Sequence, residues 1–141
     1  MRRLRNQRGV ALIETAITLP MVLLVSIAIF EFGRAYQTWQ VLTNAAREGA
    51  RVSILADATD ADVSGAVTEY LKAGRINDWA KAAVNVERSV ALGTNTSSRI
   101  TINYPFNFMV IGPIAKMVSK GSKMGDSALT MTAVALMRNE S

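Results

Sequence analysis

The sequence of 141 residues contains no cysteine and no histidine. Without cysteine the chain has no disulfide framework and no thiolate site. Without histidine it lacks the usual general base and the commonest zinc ligand, and its serines have no partner for nucleophilic catalysis. The sequence also has no nucleophile elbow and no glycine-rich loop that would hold a phosphate. We therefore predict a protein that is not an enzyme and that needs no cofactor.

Acidic residues are missing from the N-terminus, where the basic charge of the chain is concentrated. Sixteen lysines and arginines against eleven acidic residues give a net charge of +5. Four of the arginines precede Gly9, so the rest of the chain carries only +1. No basic face remains that would bind nucleic acid along a groove, and we predict no nucleic-acid partner.

An apolar run from Val10 to Phe30 follows the arginines and contains a single charged residue, Glu14. A bilayer core of about 30 Å needs about 20 apolar residues in a helix, so the run is long enough to span a membrane. The preceding arginines place the N-terminus in the cytoplasm and everything after Phe30 outside it. Pro20 removes one backbone donor in mid-span, where we expect a local kink.

Glu14 is an unusual residue for such a segment. A charge costs roughly 2.5 to 3.5 kcal/mol at the bilayer centre on insertion scales, and less near an end. We interpret Glu14 as a carboxylate kept for a cationic partner in an assembly. The alternatives are a neutral, protonated acid and simple tolerance near the membrane edge. Glu31 lies about 25 Å further along the same helix, too far away for the two carboxylates to share acid–base catalysis.

The helical pattern continues past the membrane segment to about Ala56, which gives a rod of roughly 70 Å. Residues at steps of three and four form one stripe of this helix: Trp39, Leu42, Ala46, Gly49 and Val52. Aromatic residues at the predicted membrane exit suit an interfacial belt: Phe30, Phe32, Tyr36 and Trp39. Small residues that let another element approach the backbone closely are candidates for helix packing: Ala45, Ala46, Gly49 and Ala50.

A second helix is predicted from about Ala61 to Ala73, capped by Asp60 or Thr59 and ended by Gly74. Asp60 and Asp62 also fit the first half of a calcium loop. The glutamate that such a loop requires would fall at position 71, which is a leucine. An acidic helix start, favoured by capping and the helix dipole, is therefore the preferred interpretation over calcium. A short helical piece is predicted around residues 78–83.

The pattern then changes to the alternation of β-strands. Val84, Val86, Val90 and Leu92 alternate with polar residues, and similar runs lie at 99–104 and 129–134. Gly93 to Ser98 is predicted to be the turn of a hairpin, and 109–119 a short amphipathic helix. The predicted fold is α+β, a long N-terminal helix followed by a short helix and a small three-stranded antiparallel sheet. We divide the chain into a basic leader (1–9), a transmembrane helix (10–30), its extracytoplasmic extension (31–57) and a small globular domain (58–141).

The N-terminal residues resemble a known processing region. A short basic leader that ends in glycine, four apolar residues and then a glutamate, here RG/VALIE, is similar to the start of type IV pilin-like prepilins. The segment from Phe30 to Arg51, FEFGRAYQTWQVLTNAAREGAR, resembles the TadE-like group of minor pilins from tight-adherence pilus systems. The closing run ALTMTAVALMRNE is also similar to the last strand of that group.

The resemblance implies a pilin-like fold and a set of roles. Prepilin peptidase would cut between Gly9 and Val10, and Glu14 would pair with the freed amine of Val10 on a neighbouring subunit. The implied partners are other pilin subunits, prepilin peptidase, the inner-membrane pilus assembly machinery and membrane lipid. The implied location is the bacterial inner membrane and then an adhesive pilus outside the cell. The size of the domain after residue 57 favours a minor or initiating pilin.

Two other kinds of protein stay open at this point. One is an unprocessed single-pass anchor that holds a binding domain outside the membrane. The other is a secreted domain released by signal cleavage, for which Ser26-Ile27-Ala28 offers a small-x-small pattern. The length of the apolar run and the position of Glu14 count against a cleaved signal.

Overall fold

A computed structural model describes residues 7–55, 57–92, 95–118 and 128–138. The helices are α1 (Gln7–Ser53), α2 (Asp60–Ala73) and α3 (Ile111–Val118), with a short 3₁₀ helix at Trp79–Lys81. The strands are β1 (Ala83–Leu92), β2 (Asn95–Phe106) and β3 (Leu129–Arg138). They form one antiparallel sheet in the order β1-β2-β3, which confirms the predicted α+β fold class. Most of the predicted leader, residues 1–6, lies outside the described residues.

Helix α1 runs for 47 residues and continues through Pro20. It ends at Ser53, three residues before the predicted end at Ala56. The Ser53 hydroxyl donates to the carbonyl of Ala50 (2.7 Å), and the Leu55 N–H bonds the carbonyl of Val52 (3.1 Å). These i to i−3 bonds tighten the last turn and take up carbonyls that would otherwise lack partners.

The core of the domain lies where the second half of α1 meets α2 and one face of the sheet. Its fully buried side chains include Leu42 from α1, Val63 and Val67 from α2, and Ile100 and Ile102 from β2. Since the first half of α1 contributes nothing to this core, the domain is assembled around the C-terminal half of the helix alone.

Trp39 does not belong to the buried stripe of α1 that the sequence predicts. It is 44% exposed and lies beside the Tyr36 ring, with 6.2 Å between the ring centroids. The buried face is instead centred on Leu42 and Ala46, and it takes up Thr38 at its edge. Trp39 points away from the centre of that face. The predicted stripe, which was based on steps of three and four residues, is therefore wrong to include it.

Helix α2 begins at Asp60, and its cap is Thr59. The Thr59 hydroxyl accepts from the N–H of Asp62, and the Asp62 carboxylate accepts from the N–H of Thr59, which completes a capping box. Gly74 follows the helix as predicted, but its φ of −73° is one that any residue adopts. Glycine is needed there because a Cβ would collide with the side chain of Val41 on α1.

The hairpin of β1 and β2 differs from the prediction in two places. Ser89 has a φ of 62°, and the register shifts between Glu87 and Val90. This bulge places Val90 opposite Ser97, whereas Val86 lies opposite Ile100. Ser97 and Ile100 are three residues apart in β2, so they point to opposite faces of the sheet. Val90 therefore lies on the other face from Val84 and Val86, and the predicted alternation fails there.

The predicted turn at Gly93–Ser98 is too long. Asn95 to Ser98 belong to β2, while residues 93–94 lie outside the described residues. The Ser97 hydroxyl donates to the carbonyl of Val90 (3.0 Å), and Ser97 is fully buried. The residues Asn95 to Ser98 are typical of turns, but they form part of a strand, in which the hydroxyl of Ser97 bonds a backbone carbonyl of β1.

We expect Gly49→Ala to lower the free energy of unfolding by about 1 to 3 kcal/mol through overpacking. A Cβ at Gly49 would lie 2.6 Å from Cγ2 of Val67 and 3.4 Å from Cγ2 of Ile100. Gly65→Ala in α2 is the matched control, since a Cβ there meets nothing within 4 Å. It should raise stability by up to about 1 kcal/mol because alanine favours the helix. Chemical denaturation in detergent measures both, and a Gly49→Ala protein as stable as the unaltered one would contradict the close packing.

Candidate functional site

The residues of the predicted processing site lie in the first turn of α1. Gly9 and Val10 are the third and fourth residues of a helix that begins at Gln7. The first four N–H groups of a helix have no carbonyl partner within it, so few hydrogen bonds hold this turn closed. Val10 is 67% exposed. The bond between the two residues is therefore accessible, although it starts from a helical conformation.

Glu14 lies one turn after Val10 on the same side of α1, since residues four apart are neighbours on a helix surface. Its side chain is exposed. Among the residues that the structure describes, none donates a hydrogen bond or an ion pair to its carboxylate. Its backbone carbonyl accepts from the hydroxyl of Thr18 (2.8 Å), which closes a local bond on the helix. The carboxylate is thus left available to something outside the subunit.

The first half of α1 exposes its apolar side chains on every side. From Val10 to Phe30 the large ones are between 53% and 72% exposed, apart from Ile27, which is partly buried. This is the one helix, within the described part of the chain, that is long and apolar enough to cross a membrane, and its most apolar stretch is not buried against the domain. Such a surface needs lipid or other apolar helices around it.

The small residues proposed for helix packing lie against their own domain. Ala45 and Ala46 are 0% exposed and Ala50 is 1% exposed, and Gly49 contacts Val67 of α2. These positions bring α1 and α2 close together within one subunit. They are consequently covered by the chain's own domain.

The aromatic residues near the predicted membrane exit point outward. Phe30 is 60% exposed, Phe32 66% and Tyr36 62%. Aromatic side chains at this position suit the boundary between lipid and water, where the rings lie at the level of the lipid headgroups.

Glu31 and Arg34 form a buried pair that the sequence analysis missed. Glu31 is fully buried; one of its oxygens accepts from the N–H of Val110 (2.5 Å), the other from Arg34 (3.1 Å). Arg34 also donates to the carbonyl of Asn107 and lies over the Phe106 ring, 4.6 Å from its centroid. The pair therefore fastens α1 to the connection between β2 and α3. The spacing of three on a helix was the one available signal, but it usually marks an exposed pair.

The pKa of Glu31 is held below its usual value. Burial alone would raise the pKa, but the hydrogen bonds from Val110 and Arg34 and the positive charge of Arg34 outweigh that effect. A lowered carboxyl pKa stabilises the folded state above the unfolded-state pKa of about 4.3. This contribution is lost as the pH falls from there through the folded-state pKa.

We accordingly expect acid to loosen the contact between Glu31 and Val110 before it unfolds the domain core. Below about pH 4.3 the Val110 amide should lose protection against hydrogen exchange, relative to its unfolded-chain rate. Glu31→Gln should reduce that protection already at pH 7. The Ile76 amide, which bonds the carbonyl of Leu71, serves as internal reference. Unchanged protection of Val110 in the Gln variant would contradict the assigned role of the pair.

A cleft of about 390 Å³ lies next to this pair, between α1, the end of α2 and the end of β2. Arg34, Tyr104 and Phe106 line it, and the Tyr104 hydroxyl donates to the carbonyl of Asn77. Arg34 and Tyr104 thus donate to backbone carbonyls of the domain, and Asp78, which also lines the cleft, pairs with Lys81. Over residues 7–55, 57–92, 95–118 and 128–138 no group of three or more acidic, cysteine or histidine side chains converges as a metal site would require.

The two aspartates weighed as calcium ligands have other partners. Asp62 belongs to the capping box, and Asp60 pairs with Arg88 of β1 at 2.8 Å. Arg88 also donates to the carbonyl of Ala58 (2.8 Å). These contacts tie the start of α2 to the bulge of β1, which gives both carboxylates a structural use.

A scan against protein families matches residues 9–51 with the family described as TadE-like protein. Searches of curated proteins and of solved structures found no match. The matched segment begins at Gly9 and ends two residues before the end of α1, so it covers the long helix and none of α2 or the sheet. The looser likeness of the closing run to the family lies outside it. Residues 9–51 are thus similar to the TadE-like family, as the sequence resemblance indicated.

Proposed function

We propose that this protein is a minor pilin or pseudopilin that takes part in building an adhesive tight-adherence pilus. The observation that carries the proposal is the coincidence of three features on α1. The TadE-like match begins at Gly9, an exposed apolar segment follows, and Glu14 is the one carboxylate within that segment. An ordinary membrane anchor requires the exposed apolar segment, but it requires neither the TadE-like match nor a carboxylate within the segment.

The first proposed step is insertion and processing. The arginines before Gly9 keep the N-terminus in the cytoplasm, residues 10–30 cross the inner membrane, and residues 31–141 lie outside the cytoplasm. Prepilin peptidase then removes residues 1–9. Because proteases bind extended backbone, the first turn of α1 has to open at Gly9, which costs little at a helix end whose N–H groups have no partners.

The second step is assembly with other pilin subunits through the apolar half of α1. Cleavage would leave a charged amine on Val10, one turn before Glu14. Each of these charges is penalised by lipid when it is alone, and pairing between neighbouring subunits offsets both penalties. A wrong axial offset leaves both unpaired, so the pair would select the register of the helices more than it adds to stability.

The third step is display of the globular domain, residues 58–141, on the outside of the bundle. The second half of α1, which ends at Ser53, is part of the core of this domain, so the domain begins close to the point at which the helix leaves the membrane. Since its small residues pack within the subunit, the surface left for the assembly machinery and for other pilins is the first half of α1 and the outside of the domain.

Fractionation of cells that make pili tests this function. We expect the protein in two pools, a membrane pool and a pool that copurifies with sheared fibres. A soluble periplasmic protein serves as the control for leakage. Recovery of the protein in the membrane alone, from cells whose shear fraction contains fibres, would contradict a fibre subunit.

A further inference from the structure

The segment that leads into α3 exposes apolar side chains that nothing in the described structure covers. Met109 is 60% exposed and Ile114 38% exposed, and Pro113 between them is also exposed. From Asn107 to Ile114 the segment carries no charged side chain. An exposed, uncharged and apolar segment of this kind is unusual on the surface of a small soluble domain.

The position of the segment on the molecule is fixed by the buried pair on α1. Glu31 bonds the N–H of Val110, and Arg34 bonds the carbonyl of Asn107. Glu31 directly follows Phe30, the last residue of the proposed membrane span, and the helix rises by about 1.5 Å per residue. The start of α3 is consequently held within about one helical turn of the level at which α1 would leave the membrane.

Exposed aromatic residues of α1 lie at the same level. Phe30 and Phe32 flank Glu31 in the sequence and are both more than half exposed. Together with Met109 and Ile114 they form what we call the juxtamembrane patch. Two of its members come from α1 and two from the α3 segment, so two separate elements expose apolar side chains near the level at which the span ends.

We propose that the juxtamembrane patch lies on the lipid surface of the membrane that α1 crosses. The level at which Glu31 and Arg34 hold the α3 segment argues for lipid as the occupant, since the bilayer that surrounds Phe30 reaches residues at the level of Glu31. A single helix leaves a domain free to swing about its point of exit. A second contact at Met109 and Ile114 limits that motion and holds the domain at a defined tilt before assembly. The inference rests on the proposed span of residues 10–30.

The absence of cysteine makes a labelling experiment direct, because each introduced thiol is the only one in the chain. We would attach a nitroxide spin label to Met109→Cys and Ile114→Cys in the full chain, reconstituted in phosphatidylcholine and phosphatidylglycerol vesicles. Two reference positions have similar exposed fractions: Leu23→Cys (53%) in the span and Leu55→Cys (55%) beyond the far end of α1. Collision rates with oxygen and with a water-soluble nickel chelate report contact with lipid and with water.

The expected result is an oxygen-to-nickel ratio at residues 109 and 114 several-fold above that at residue 55 and below that at residue 23, which lies near the centre of the span. If the ratio at residues 109 and 114 equals that at residue 55 while residue 23 gives a high ratio, the contact between the patch and lipid is refuted and the span is retained. Shielding of 109 and 114 from both reagents would indicate a protein partner or a second copy, and would also overturn the inference. Equal values at 23 and 55 would refute the span itself.

Discussion

Replacing Glu14 by alanine is expected to remove the protein from fibres while leaving it in the membrane. Removal of the carboxylate makes the span more apolar, so insertion should be unchanged or improved by up to about 2.5 kcal/mol, the lower end of the central-bilayer penalty. In a fibre the freed amine of Val10 would then have no counter-charge. Breaking one member of a buried charge pair costs about 3 to 5 kcal/mol, enough to lower incorporation by more than two orders of magnitude.

The contrast between the two carboxylates of α1 supports this expectation. Glu31 is fully buried and receives hydrogen bonds from Val110 and Arg34 of its own chain. Glu14 is exposed, and the described part of the chain gives its carboxylate no partner. Folding satisfies Glu31, whereas for Glu14 we propose a partner on a neighbouring subunit.

Two further substitutions separate charge from shape at this position. Glu14→Gln keeps the size of the side chain and should fail to enter fibres as alanine does. Thr15→Ala is the neighbouring control, because the Thr15 hydroxyl bonds only the carbonyl of Ala11 on the same helix (2.8 Å). It should assemble normally. Quantitative immunoblots of membrane and sheared-fibre fractions give the ratio of fibre-bound to membrane-bound protein for each variant. Normal piliation by Glu14→Ala would contradict the register hypothesis.

Replacing Gly9 by leucine is expected to leave the chain at its precursor length. Glycine before the cut bond presents no side chain and lets the first turn of α1 adopt an extended conformation cheaply. A branched side chain removes both advantages. We expect cleavage to slow by at least about tenfold, which corresponds to about 1.4 kcal/mol in the activation free energy. Gly9→Ala should be affected less than Gly9→Leu.

Gly33 provides the matched control for this experiment. It lies in the same helix, and a Cβ there meets nothing within 4 Å. Gly33→Ala should be processed at the normal rate. Intact-mass measurement of protein extracted from membranes distinguishes the precursor from a chain shortened by residues 1–9. A Gly9→Leu protein of unchanged mature mass would remove the processing claim.

The sequence predicted those parts of the fold that rest on long, regular patterns. The apolar run up to Phe30 and the continuing helical period gave α1 to within three residues at its C-terminal end, and the alternating runs gave all three strands. Patterns of this kind average over many residues, so a single exception does not hide them.

Features that depend on one residue or on contacts between distant elements could not be predicted. The bulge at Ser89 changes the face of Val90, yet Val86, Val90 and Leu92 keep the even spacing in the sequence that one face of a strand would have. Glu31 looks like an ordinary helix charge until α3 is placed beside it, and its main partner is 79 residues away. Gly74 looks like a helix stop, whereas the structure requires glycine there because of the close approach of Val41.

The most direct test of the central claim is the N-terminal sequence of the mature protein, isolated from membranes and from sheared fibres. The proposal predicts that it begins at Val10. A chain that begins at Met1 in both fractions would be an unprocessed anchor, and one that begins at Ile29 would be a secreted domain released after Ala28. Either of these results would contradict the assignment as a processed pilin.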